Sequence, residues 1–228
     1  MGNSSLAIKE KGEISAKVKH ELERYGIKNY SGSQPKVLTF EKGQYICLEG
    51  VPMDYLYFMV SGKARAHINI PDGKPLLVGF HIGRGIIGDV ELLEDGIANR
   101  SIMALTDVTC IGLPMDQAMK NLRNDLGFMQ FAAAQLAGKF EARSRKHSLS
   151  VLLNLEARLC SYILMTCEED RFDGNLSEVA GLIGTSYRHL LRTLDALRKD
   201  GILEKSGKGY KIKDSMELEK RAMDYYSV

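Results

Sequence analysis

The chain has 228 residues, 44% hydrophobic and 26% charged, with 31 Lys and Arg against 29 Asp and Glu for a formal net charge of +2. That balance is too apolar for a disordered chain, and no stretch approaches the roughly 18 apolar residues that a membrane span requires. The length suits two modest domains, and the opening MGNSSLAIKEKGE lacks the apolar core of a secretory signal, so a cytoplasmic protein is expected.

Residues 7–30 are polar and helix-permissive until SGSQP, Ser31 to Pro35, breaks the pattern. From Val37 to Pro114 the character changes. Short apolar or alternating runs (VLTF, YICLE, YLYFMV, ARAHINI, LLVGFHI, SIMALT, VTCIGL) are separated by Gly43, Gly50, Gly62, Gly73, Gly83, Gly85, Gly88 and Gly96. Short strands with turn signals at near-regular spacing predict a sandwich or barrel-like β unit. Pro71-Asp72-Gly73, between two such runs, has the chemistry of a hairpin turn.

After Met115 glycine nearly vanishes. Leu122, Leu126, Met129, Ala133, Leu136 and Phe140 recur at alternating steps of four and three, a seam of under three heptads. Such a stripe serves either an intramolecular core or a helix pairing. The run Ala132, Ala133, Ala134, Ala137 and Gly138 makes this helix slim enough for close approach, which favours self-association. Further on, EEDRFDG (Glu168 to Gly174) reads as a charged surface connection.

LSEVAGLIGTSYRHLLRTL follows. Leu176, Val179, Ala180 and Ile183 make one short helical face, Leu190, Leu191 and Leu194 another, and Gly184 stands between them. Glycine takes positive φ without steric cost and ends the first helix, Ser186 is placed to cap the second, and Ala180 permits a close crossing. The pattern is a helix-turn-helix. In this motif the first turn of the second helix enters the major groove, so Thr185, Ser186, Tyr187, Arg188, His189 and Arg192 are candidate DNA contacts. Surface arginines on a solvated helix would look the same taken alone. The charge distribution argues otherwise: Thr185 to Lys213 holds eight Lys or Arg against three Asp or Glu, a net of +5, which leaves −3 for the rest of a chain whose total is +2. GILEKSGKGYKIK then predicts a two-stranded wing with Gly207, Lys208 and Gly209 at its tip and Lys208 against the phosphate backbone.

These segments, in this order, resemble the catabolite-activator/Fnr (Crp/Fnr) family of bacterial transcription regulators from about Val37 to Ile212. The matching stretches are KGQYICLEGVPMDYLYFMVSGKARA, then GRGIIGDVELLEDGIANRSIMALTD, then the long helix and the helix-turn-helix. The resemblance implies an α+β chain: an N-terminal helical segment (1–35), a cyclic-nucleotide-binding-type β-roll or jelly roll (36–114), a dimerisation helix (115–147) and a winged helix-turn-helix (148–228). It also implies a homodimer on double-stranded DNA, with RNA polymerase as a further partner and no cofactor.

Family members that bind cyclic AMP use a Gly-Glu pair for the ribose, an Arg-Ser pair for the cyclic phosphate and a Thr-Ser pair for the adenine. The corresponding places here hold Gly88-Asp89, then Arg100-Ser101 one residue further on, and Arg143-Ser144. Asp is a methylene short, the spacing is shifted, and Arg143 puts a bulky cation where a small hydroxyl belongs. Asp89, Arg100, Ser101, Arg143 and Ser144 are therefore candidate residues for an effector other than cyclic AMP, with Asp89 and Arg100 expected to pair with each other. Tyr187-Arg188 also replaces the family's usual Arg-Glu, so its common operator is not expected.

A β-roll is also the scaffold of cupin enzymes. Their metal needs two or three His and a carboxylate on adjacent strands, whereas this region offers His67 and His81 without an H-x-H pair, so no enzyme and no metal site is expected. Cys47, Cys110, Cys160 and Cys167 are scattered without a C-x-x-C pair and read as free thiols, with a redox role left open for Cys47 and Cys167.

Overall fold

The computed structural model describes residues 16–28, 30, 35–70, 75–150 and 155–222, without the side chains of 139 and 142–150. Most of SGSQP and the whole Pro71-Asp72-Gly73 turn lie outside these residues, as do the side chains of Arg143 and Ser144. The chain divides into two compact units, one of residues up to Ala66 with His81–Glu141, the other of His67–Phe80 with Ala142 onwards.

The first part runs α1 (Ala16–Glu23), β1 (Lys36–Phe40), β2 (Tyr45–Cys47), β3 (Tyr55–Ser61), β4 (Lys63–Asn69), β5 (Pro75–Ile82), β6 (Gly85–Ile87), α2 (Asp89–Leu93), β7 (Ser101–Ala104) and β8 (Val108–Pro114). Two four-stranded sheets result, ordered β1-β8-β3-β6 and β2-β7-β4-β5. The first is antiparallel at each step, with Leu38 opposite Cys110 and Phe58 opposite both Ile111 and Ile86. Leu38, Leu56, Phe58, Met59, Cys110 and Leu113 are fully enclosed, so the near-continuous apolar runs reflect strands covered on both faces.

The N-terminal helix is tied to this core. Tyr25 donates its hydroxyl to the Met59 carbonyl at 3.1 Å, and its ring packs on Phe58 and Phe131. Gly26 has φ +79, and a Cβ there would lie 2.6 Å from the Gly127 carbonyl oxygen, so two backbones cross where only glycine fits.

The single helix expected from Met115 is two helices, α3 (Met115–Leu122) and α4 (Leu126–Ser150). Asp125 separates them by capping the second: its Oδ1 accepts the Phe128 N–H at 2.8 Å. Leu122 is 1% exposed in the core of its own unit and does not belong to the seam, which is a correction to the sequence reading. Beside the break, Arg123 donates Nε to the Leu92 carbonyl and Nη2 to the Glu94 carbonyl, both at 2.6 Å, so the end of α3 is anchored to the end of α2. The unit boundary also falls inside α4, at Glu141/Ala142.

The second part runs α5 (Leu155–Thr166), β9 (Arg171–Phe172), α6 (Leu176–Leu182), α7 (Tyr187–Lys199), β10 (Leu203–Ser206), β11 (Gly209–Ile212) and α8 (Ser215–Ala222). Glu168–Gly174 is more than a connection. Glu169 and Asp170 both take positive φ, Glu168 bridges to Arg171, and β9 adds a third strand to the wing in the order β10-β11-β9. Arg221 of α8 reaches Asp200 at 2.7 Å, Glu156 at 3.0 Å and Glu217 at 3.0 Å, which fastens the C-terminal end of α7 to α5 and α8.

Candidate nucleic-acid interface

Two caps and one glycine build the helix pair. Asn175 accepts the Ser177 and Glu178 N–H groups and starts α6. Gly184, at φ +68, turns the chain out of it, and Ser186 Oγ accepts the His189 N–H at 3.2 Å to start α7. Val179, Ala180, Leu182 and Ile183 bury against the Leu190, Leu194 and Leu197 face of α7. With that face used up, the first turn of α7 is left facing outwards. Tyr187 is 50% exposed, Ser186, Arg188, His189 and Arg192 are exposed, and Thr185 is half-buried.

Leu203 pairs with Ile212 and Ser206 with Gly209, leaving Gly207 and the exposed Lys208 as a two-residue tip. Arg188 and Arg192, a helical turn apart, line an open groove that runs between α7 and the wing. The helix start and the wing thus present cations over a scaffold held by apolar burial.

The β-roll holds a different set. Asp89 opens α2 behind Gly88 and is 7% exposed, Glu91 is 5% exposed with Oε1 accepting the Asn99 N–H at 3.1 Å, and Ser101 is 3% exposed with Oγ accepting the Glu49 N–H at 3.1 Å. The half-buried Arg100 turns to Asn99, Nε 2.6 Å from Oδ1, rather than to Asp89, so the expected pair is not formed. On β4 a second guanidinium, Arg65, is 6% exposed with Nη2 3.7 Å from Met103 Sδ on β7. Cys47 lies beside this set, donating Sγ–H to the Arg100 carbonyl at 3.7 Å. Burial, then the Glu91 carboxylate, push its thiol up to about 12, so it stays protonated and a poor nucleophile near neutral pH.

Residues 37–125 match the family model of the cyclic nucleotide-binding domain, and residues 157–221 match that of the Crp-like helix-turn-helix domain. The regulatory protein YeiL of Escherichia coli O157:H7 is 30% identical over 189 residues, which cover 83% of this chain and 86% of that protein. The chain belongs to the Crp/Fnr family of transcription regulators. Among other Crp/Fnr relatives, the CRP-like cAMP-activated global transcriptional regulator of Mycobacterium tuberculosis H37Rv is 22% identical over 223 residues, 88% of this chain and 98% of that protein. Two solved structures share the fold. A Crp/Fnr-family regulator from Thermus thermophilus has a TM-score of 0.67 at 20% identity, covering 82% of this chain and 98% of that one. The c-di-GMP-responsive global regulator of Xanthomonas campestris has a TM-score of 0.66 at 18% identity, covering 86% and 99%.

Sequence reasoning missed several residues of this Crp/Fnr chain. Arg65 and His67 alternate with Ala64 and Ala66 in β4, a pattern that reads as an outward polar face, yet all four are buried. Arg198, Lys205 and Tyr210 line the same groove as Arg188 and Arg192, a grouping that the count of eight cations between Thr185 and Lys213 contained without locating. No described helix is long and apolar enough to cross a membrane.

Proposed function

We propose that this Crp/Fnr regulator acts as a cytoplasmic homodimer, reads a two-fold operator with the start of α7, and senses through its β-roll an effector other than cyclic AMP. The exposed, capped and cationic start of α7 carries the reading. Leu190, Leu194 and Leu197 are spent on the domain core, so Tyr187, Arg188, His189 and Arg192 are left for a partner, and a polyanion satisfies them. Dimerisation rests on the stripe of α4. Leu126 is 72% and Phe140 75% exposed, Ala133 is exposed between them, and Phe128 and Ala132 face their own unit. A symmetric pair sets two recognition helices roughly one DNA turn, about 34 Å, apart.

Against cyclic AMP stand the Arg100 contact to Asn99 and the buried Glu91, a carboxylate additional to the one at position 89, in the cassette that would receive a phosphate anion. The test combines duplex selection from a random library with thermal melting. An enriched palindromic site bound by dimers, and a melting temperature unmoved by cyclic AMP, are the expected results. A concentration-dependent rise with cyclic AMP would restore the cyclic-nucleotide-responsive alternative, and the absence of any enriched duplex would remove the operator reading.

A further inference from the structure

We propose that Met119 is an oxidative modification site, at which a hydroperoxide converts the thioether to a sulfoxide and loosens α2, the helix that carries Asp89 and Glu91. This rests on the reading of the β-roll as a sensor and adds a chemical input to it. Three methionines from two stretches of the chain converge on the glycines at either end of that helix. A Cβ on Gly88, before α2, would stand 3.0 Å from the methyl carbon of Met53 and 3.2 Å from that of Met115. A Cβ on Gly96, after it, would stand 2.8 Å from Met119 Cε and 3.6 Å from Met115 Cγ. Both glycines take positive φ, +98 and +80, and the thioether side chains fill the space that a side chain there would occupy. Met115 and Met119 lie one turn apart on α3 and share a face. The ends of α2 therefore rest on unbranched, flexible thioethers.

Exposure separates the three. Met53 is 7% and Met115 4% exposed, whereas Met119 is half-buried, so Met119 is the one that solvent reaches. With hydrogen peroxide, a lone pair of Met119 Sδ attacks one oxygen, the S–O bond forms as the O–O bond breaks, and the transferred hydroxyl gives its proton to the departing oxygen. Water leaves, the sulfur is oxidised by two electrons and the peroxide is reduced by two. The new oxygen is a hydrogen-bond acceptor, and Gly96 has no donor for it. Its N–H donates to the Glu91 carbonyl at 3.0 Å, and its carbonyl accepts the Met53 N–H at 2.8 Å. An acceptor without a donor is disfavoured in an apolar contact, so the sulfoxide turns to water and takes the methyl group with it. Gly96 loses its cover, and the turn closed by its bond to Glu91 opens at the end of α2.

Hydrogen peroxide applied to the full-length protein tests this, with oxygen uptake at each methionine followed by peptide mass spectrometry and amide exchange measured over residues 88–98. Met216, 80% exposed on α8, is the freely accessible reference. Met119 should oxidise several-fold faster than Met53 and Met115. Exchange over 88–98 should rise several-fold in step with the Met119 sulfoxide and not with that of Met216, and methionine sulfoxide reductases with dithiothreitol should reverse both changes. Met119→Leu, similar in volume, should keep exchange low after peroxide, and Met119→Gln, which puts a polar end at the same place, should raise it without peroxide. The wild-type time course decides even where a variant fails to fold. Oxidation of Met119 no faster than that of the two buried methionines overturns the proposal, and so does a Met119 sulfoxide that forms with exchange over 88–98 unchanged. Duplex binding by the untreated protein is measured alongside: a wild type that binds no duplex overturns the regulator reading, while the exchange result decides this proposal either way.

Discussion

Ser186 Oγ accepts the His189 N–H at 3.2 Å and so starts the helix that carries the candidate base contacts. Removing such a cap costs about 1 kcal/mol. Ser186→Ala should lower stability by about that much in urea unfolding. Ser186→Asp keeps the cap and should hold stability, yet places a carboxylate where a phosphate would lie and should weaken DNA binding. Equal DNA binding by wild type and Ser186→Asp would remove the start of α7 from the interface.

The seam of α4 separates from the core by mutation. Leu126→Glu with Phe140→Glu changes two exposed apolar positions and should give folded monomers by sedimentation. Leu122→Glu buries a charge in α3 and should unfold the protein instead. A folded, dimeric double variant would move the interface elsewhere.

How far the sequence could be read depended on whether a pattern was local. Gly184, Ser186 and the two short apolar faces lie within one stretch, where helix caps and 3.6-residue periodicity act over a turn, and the structure places them as expected. The break at Asp125 escaped notice because the spacing from Leu122 to Leu126 is four residues whether or not the helix continues through it. Without a glycine or a change of spacing beside it, Asp125 is singled out as a cap only by its hydrogen bond. Arg65 was missed for a different reason, since alternation does not say which face of a strand is covered. Arg100 and Asp89 are matched by position to a known cassette, but position does not say which acceptor a long side chain takes, and Arg100 bonds its neighbour Asn99.

Base reading and backbone grip should part in the binding data. Arg192→Ala should lose about 1 to 3 kcal/mol on the selected site and relax the choice at one base pair, whereas Lys208→Ala should weaken all duplexes alike and reduce the salt slope by about one unit. A uniform loss in Arg192→Ala would make Arg192 a phosphate clamp and pass base reading to Tyr187 and Arg188.

Two buried thiols and the half-buried Cys47 should weaken the fold at alkaline pH. Burial raises Cys47, Cys110 and Cys160 from an ordinary value of 9.0 to about 12. The folded state then keeps protons that the unfolded state releases, so stability is unaffected by these groups below pH 9 and falls as pH climbs from 9 towards 12. Melting temperatures between pH 8 and 11 should decline less steeply in Cys47→Ser, Cys110→Ala and Cys160→Ala. Iodoacetamide at pH 8 should leave all three unmodified in the folded protein, and rapid labelling of Cys47 would contradict the burial argument.

The Arg123 guanidinium reaches the Leu92 and the Glu94 carbonyls from the end of α3, so the closing residues of α2 and α3 share one donor. Losing that guanidinium strips both carbonyls of the same partner at once, and the end of α2 would have to find two donors to replace one side chain.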